Sequence, residues 1–307
     1  MSLFSRVFSA CWLIAPLILS QSAAAQAQAQ APPTEPASPQ PIAVVFSNKG
    51  PSGMVDLPLG AYRPPNSNIV VSGRQKGVGI LVGVAGMLVQ CAANSEATKE
   101  KVGNTEDVLH VDLAQQATDI TGDVFKSGKY GQAFTSAFNP DSPSLTVTPY
   151  AVISFVNKED VVVHVFLKAS YKPGRSGGAS WTTRYICCTT QPVPFGGDNG
   201  LTANGGQALK DTFAHETAGA VDLMLHDVAS GRARDPRSTL WVETYQPFMG
   251  KKWKIKGYKL SEDQTSIVVA TMAGNIITFG GVQGIDKSVI TPETAPARAS
   301  LGDQASR

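Results

Sequence analysis

The chain has 307 residues, 42% of them hydrophobic, 16% charged and 7% aromatic, with 26 basic side chains against 24 acidic. These proportions exclude a disordered polyelectrolyte, a collagen-like polymer and a polytopic membrane protein, whose charge or apolar fractions are extreme. The length suits one sizeable core or two small ones, at roughly 150 residues per domain.

Residues 1–25 read as a secretory signal peptide. Arg6 supplies the positive start, Trp12, Leu13, Ile14, Leu17, Ile18 and Leu19 a short apolar core, and Ser22, Ala23, Ala24 and Ala25 the small residues of a cleavage site. The apolar run is well short of the roughly 20 residues of a spanning helix. Cys11 precedes that run instead of following it, so it does not read as a lipidation site. Residues 26–41 are Ala-Gln repeats followed by five prolines, from Pro32 to Pro41. Such a composition buries too little apolar surface to offset ordering entropy, and it predicts a disordered linker.

Ile42, Ala43, Val44, Val45 and Phe46 read as a buried strand, stopped at Asn48, Lys49, Gly50 and Pro51. Ile69, Val70 and Val71 form a second short strand. Residues 77–93 predict a glycine-rich helix in which Gly79 and Gly83 make one small-xxx-small step, with Gly86 one turn on. Its length leaves two readings open: a buried helix packed closely on a sheet, or a membrane-inserted segment that also favours self-association. Val108, Val111, Ala114, Ala117, Ile120 and Val124 then recur at threes and fours, predicting an amphipathic helix capped by Asp112.

Strands are expected over 145–155, 161–171 and 180–189, joined by the turn residues Asn157 to Asp160 and by a glycine-rich loop at 174–178. That spacing describes an antiparallel meander. A long helix over 206–230 follows, its stripe made of Leu209, Phe213, Ala220, Val221, Met224, Leu225 and Val228. Strands return at 252–260, 265–272 and 276–279. The expected fold is α+β: an antiparallel sheet flanked by helices over 42–235, a small β-hairpin module over 236–290, and a frayed tail over 291–307.

Removing the signal leaves Cys91, Cys187 and Cys188, an odd count that permits at most one disulfide. Adjacent strand residues face opposite ways, so only one of Cys187 and Cys188 faces Cys91 if a bridge forms; three reduced thiols are the alternative.

The familiar catalytic patterns fail on context. Gly174, Ser176 and Gly178 match the nucleophile-elbow spacing, but a strand follows where that motif needs a helix. His215 and Glu216 open a zinc-helix pattern whose second histidine is replaced by Gly219. His110 and His164 stand alone, no CxxC pair occurs, and the glycine runs at 196–200 and 204–206 lack the Lys-Ser/Thr of a phosphate loop. No catalytic residue, metal or cofactor is therefore assigned.

The one charge cluster is Lys251, Lys252, Lys254, Lys256 and Lys259, interleaved with Trp253, Ile255 and Tyr258. On a strand, Lys252, Lys254 and Lys256 share one face and Trp253 and Ile255 the other. An exported protein does not meet nucleic acid, so the fitting partners are anionic headgroups or envelope polymers. A plain solvated face is the alternative.

The run Pro64, Pro65, Asn66, Ser67, Asn68, Ile69, Val70, Val71 before the glycine-rich helix, the strand pair between Tyr150 and Tyr185, and the Gly250, Lys251, Lys252 hairpin carry a resemblance. The chain resembles a loose class of uncharacterised exported proteins of the Gram-negative cell envelope. The resemblance implies a periplasmic, envelope-associated location and no assigned reaction. The leading expectation is a non-enzymatic protein attached peripherally to a membrane or envelope complex through Gly79, Gly83, Gly86 and Lys252, Lys254, Lys256. A soluble periplasmic module for a small ligand or peptide is the rival, and a hydrolase using Ser176 a distant third.

Overall fold

In chain order the elements are strand β1 (Ile42–Phe46), the one-turn helix α1 (Gly53–Asp56), strands β2 (Ala61–Tyr62) and β3 (Ile69–Ser72), and helices α2 (Gly83–Val102) and α3 (Leu113–Lys126). Strands β4 (Phe134–Thr135), β5 (Ser144–Phe155), β6 (Asp160–Lys172), β7 (Trp181–Cys188) and β8 (Val193–Pro194) lead into helix α4 (Ala203–Ala229). Strands β9 (Thr239–Tyr245), β10 (Lys252–Glu262), β11 (Ile267–Thr271), β12 (Ile276–Phe279) and β13 (Ile290–Pro292) follow. The structure is a computed structural model that describes residues 40–58, 60–73, 83–189, 191–232, 234–235, 237–262, 266–272, 274–279 and 290–292. The expected signal peptide, almost all of the expected linker, Gly77 and Gly79 lie outside the described residues.

The antiparallel meander β5–β6–β7 is the spine of the fold. Its strands carry continuous β-branched and aromatic runs because both faces are covered, which removes the need for polar alternation. Asn157 shapes the β5–β6 turn. Its Oδ1 accepts from the backbone N–H of Glu159 (2.8 Å) and Asp160 (2.7 Å), and its side-chain amide donates to Asp160.

The sheet is mixed where the sequence pattern suggests only antiparallel pairing. β1 and β3 both lie parallel to β5, β1 against Ser144 to Val147 and β3 against Ala151 to Ser154. Pro149 falls in the gap between them, where its missing N–H forfeits no ladder bond on that side. β12 adds parallel to β7 and carries the antiparallel strands β11, β10 and β9 with it, with β13 on the far side of β9.

The fold is α+β in three layers. One face of the spine packs on helices: Leu167, Ala169, Tyr185 and Cys187 meet Ala220, Val221, Met224 and Leu225 of α4 and Ala117 of α3. Asp112 caps α3 as expected, its Oδ1 accepting from the N–H of Ala114 (3.1 Å) and Gln115 (2.9 Å). The other face, carrying Tyr150, Val152, Phe166 and Ile186, packs on Leu240, Val242, Ile267 and Val269 of the C-terminal strands. Those strands are thus a covering layer for the spine. The described part of the expected 77–93 helix starts α2 at Gly83 and continues to Val102, nine residues beyond the expected end. No helix among the described residues is long and apolar enough to cross a membrane.

Candidate functional site

Side chains on the spine face turned away from the helices line up in three cross-strand rows: Thr148, Lys168, Arg184; Tyr150, Phe166, Ile186; and Val152, His164, Cys188. Each row has its own chemistry.

The first row meets Asp56, which α1 delivers into the layer at 1% exposure. Its carboxylate takes Lys168 Nζ at 2.5 Å, Arg184 Nη2 at 2.8 Å and Nε at 2.9 Å, and the Tyr150 hydroxyl at 3.1 Å. Burial pushes the Asp56 pKa up, but the hydrogen bonds and charges of Lys168 and Arg184 outweigh it and hold the carboxyl below its usual range. Two cations share one carboxylate, so the triad keeps a net positive charge.

In the second row Tyr150 and Phe166 stack with ring centroids 4.6 Å apart, and Ile186 continues the apolar floor. In the third, His164 is buried. Its Nε2 donates to the carbonyl of Tyr245 (3.1 Å), which makes Nδ1 the acceptor nitrogen of a neutral ring, and Nδ1 has no hydrogen-bond partner among the described residues. Burial pushes the ring's pKa down to about 4, against partial opposition from the carbonyls of Tyr245 and Val152.

Between this floor and the end of β9 lies a cavity of about 190 Å³, walled by Arg184, Tyr150, Phe166, Ile186, His164 and Cys188 of the rows on one side and by Thr244, Tyr245, Gln246, Pro247, Phe248 and Asn275 on the other. Phe248 has a φ of +68°, a strained conformation for a bulky side chain. Two hydrogen bonds hold it there: Ser72 Oγ donates to its carbonyl (3.1 Å) and its N–H donates to Ser154 Oγ (3.0 Å). Strain of this kind concentrates at ligand clamps, and here it sits on the cavity wall.

On the helix side a second buried carboxylate, Asp227, accepts from Tyr185 (2.9 Å) and pairs with Arg234 (2.8 Å), while Arg232 stacks 3.8 Å over the Trp181 ring. This cluster ties the end of α4 to β7. An adjoining cavity of about 300 Å³ carries Asp227, Asp235, Arg234 and Lys259 in its wall, so its charges balance internally. Glu216 of α4 is buried, and burial pushes its pKa up to about 7.

The residues singled out by sequence fall as follows. Lys252, Lys254 and Lys256 share the outer face of β10, opposite Tyr245, Glu243 and Trp241 of β9. Lys252 and Lys254 are exposed, and Trp241 and Trp253 are 39% and 49% exposed. Gly83 and Gly86 lie in the first turns of α2, while Gly79 is outside the described residues. Cys187 and Cys188 are buried thiols outside any disulfide, on opposite faces of β7; the Cys91 side chain is outside the described residues. Burial pushes the Cys188 thiol pKa up, away from nucleophilic reactivity. His215 is exposed next to buried Glu216, and Gly174–Ser176 is a 3-10 turn leading into β7. Among the described residues no three His, Cys, Asp or Glu side chains gather as a metal site.

His164, read from sequence as solitary, has its significance from the cavity. Asp56, Lys168 and Arg184 carried no sequence signal, since their partners are more than 100 residues apart in the chain. Compared with known proteins, the chain matches no family model, no characterised protein and no solved structure.

Proposed function

We propose that this protein is a non-enzymatic binding module of the periplasm that holds a small organic ligand between its two β layers. The observation that carries the reading is the cavity itself: an apolar floor, a few convergent polar groups, and a wall residue, Phe248, clamped in a strained conformation. Ligand sites combine these features, with mostly apolar walls and few polar anchors. The periplasmic location rests on the signal pattern of residues 1–25.

The test is a thermal-shift screen of small organic compounds against the wild-type protein and an Ile186→Trp variant, whose larger side chain fills the cavity floor. Compounds that raise the wild-type Tm and leave the variant unmoved are the expected result, by the stabilisation that ligand binding imposes on the folded state. A screen in which no compound shifts the wild type, or in which the same compounds shift a folded Ile186→Trp variant equally, overturns the reading.

A second reading has its own observation. Trp241 lies directly across from Lys256 on the outer face that also carries Lys252 and Lys254. Lysines beside an exposed tryptophan suit an anionic membrane surface, where the ring sits at the headgroup level. This face is on the strand pair that covers the cavity, so peripheral attachment and ligand binding are compatible.

A further inference from the structure

The walls of the cavity also constrain what enters it. Of the twelve described residues that line it, Arg184 is the one formally charged side chain. Arg184 engages Asp56 through Nε and Nη2, both on the same carboxylate oxygen, which leaves Nη1 outside that pair. The other carboxylate oxygen is taken by Lys168. The charge facing the cavity at this end is therefore positive and only partly neutralised, and it attracts an incoming anion.

Size and shape narrow the choice further. An apolar cavity of about 150 Å³ takes up benzene. At about 190 Å³ this one has room for a single ring with one or two small substituents. The Tyr150–Phe166 stack and Ile186 offer a flat apolar floor to such a ring. At the other end of the floor, four residues along β7 from Arg184 and about 13 Å by strand rise, His164 and Cys188 form the last row. There His164, with Nε2 committed as donor to Tyr245, has an acceptor nitrogen with no partner among the described residues, and a buried acceptor in that condition favours a ligand O–H or N–H.

We propose that the cavity binds a single-ring aromatic monocarboxylate, with its carboxylate at Arg184, its ring over Ile186 and Phe166, and a hydrogen-bond donor on the far side of the ring toward His164. This rests on the cavity-binding reading above and specifies the ligand class. Arginine suits the role because its guanidinium carries several donors: with Nε and Nη2 committed to Asp56, Nη1 remains for a single charge-assisted hydrogen bond to the ligand carboxylate.

The test uses three probes on the wild-type protein at pH 7: 4-hydroxybenzoate, benzoate and the uncharged 4-hydroxybenzyl alcohol, with dissociation constants from calorimetry. The expected order is 4-hydroxybenzoate tightest, benzoate weaker by severalfold, and the alcohol weaker than 4-hydroxybenzoate by at least tenfold. In an Arg184→Met variant the preference for 4-hydroxybenzoate over the alcohol is expected to collapse to within about twofold. Should that variant not fold, the wild-type series decides alone. The alcohol binding as tightly as 4-hydroxybenzoate overturns the carboxylate assignment while leaving the cavity reading standing, and inorganic phosphate stabilising the protein as much as 4-hydroxybenzoate does overturns the aromatic part. No binding of any ring compound overturns the ligand class; the Ile186→Trp screen separately decides whether the cavity binds small molecules at all.

Discussion

Glu216 and His164 are buried ionisable side chains on opposite faces of the spine, and their effects on stability run in opposite directions with pH. Glu216 has a pKa of about 7 in the fold against an ordinary 4.5, because burial disfavours its charged form. Between those values the folded chain holds a proton that the unfolded chain releases, so stability falls as pH rises from 4.5 to 7 and stays lower above that. His164 has a pKa of about 4 against 6.5, so the unfolded chain takes up the proton first and stability falls as pH drops from 6.5 to 4. Each shift corresponds to about 3 kcal/mol, and the two slopes nearly cancel between pH 4.5 and 6.5. A Glu216→Gln variant removes one slope. It is expected to exceed the wild type by about 3 kcal/mol in urea denaturation at pH 8, to match it near pH 4.5, and to show a rise in stability from pH 4.5 to 6.5 that the wild type lacks. An equal effect at both pH values would contradict burial as the cause. Neither residue advertises this in the sequence. Burial is a property of which helix face meets the sheet, and His164 in a run of valines reads the same whether its face looks onto a helix or onto a cavity.

At the scale of elements, the start of α4 shows how a local rule decides a boundary. Asn204, Gly205 and Gly206 all have positive φ, from +50° to +74°, so the chain makes a left-handed turn before the regular helix runs on to Ala229. Glycine and asparagine are the residues that enter this region at little cost. Gly206 has a second constraint, since a Cβ there would lie 2.7 Å from Cβ of Val108 in the 3-10 segment before α3. A Gly206→Ala substitution combines a strained φ with a steric clash and is expected to destabilise the fold by about 1–3 kcal/mol, whereas Gly205→Ala, with open space around it, has only the φ penalty. Denaturant midpoints of the two variants separate these contributions, and equal losses would show that the Val108 contact contributes nothing. The sequence reading places the start of this helix at Gly206 because its apolar stripe begins there, and the long strands β5, β6 and β7 were legible because their β-branched runs are bounded by strong turns. β9 was not. Thr239, Leu240, Trp241, Val242, Glu243, Thr244 and Tyr245 alternate between Pro236 and Pro247, but the run mixes polar and aromatic residues and lacks the continuous apolar stretch that marks the spine strands. The parallel additions of β1, β3 and β12 were equally hidden, because pairing direction depends on crossovers that span dozens of residues and leave no local pattern.

For the whole molecule, the covering layer of β9 and β10 has two faces with different duties. Its inner face carries Leu240, Val242 and Ile255 onto the spine, and that burial fixes its position. Its outer face carries Lys252, Lys254 and Lys256, with the acidic Glu243 directly opposite Lys254. The sequence made the alternation visible, but not Glu243, whose effect on the stripe requires the β9–β10 register. Each lysine near an anionic surface contributes about 1 kcal/mol, so each one that stays unopposed changes binding by about fivefold. Replacing Lys252, Lys254 and Lys256 together by glutamate reverses that attraction. The variant is expected to lose cosedimentation with vesicles containing phosphatidylglycerol, and the wild type to be released from them by 0.5 M salt (roughly a 4 Å screening length), while ligand stabilisation at the inner cavity persists. Binding that survives both the charge reversal and the salt would remove the outer face as a membrane contact. Loss of ligand stabilisation in the same variant would show instead that the two faces of this thin layer are coupled, with Tyr245, opposite Lys252 and hydrogen-bonded through its carbonyl to His164, as the connecting residue.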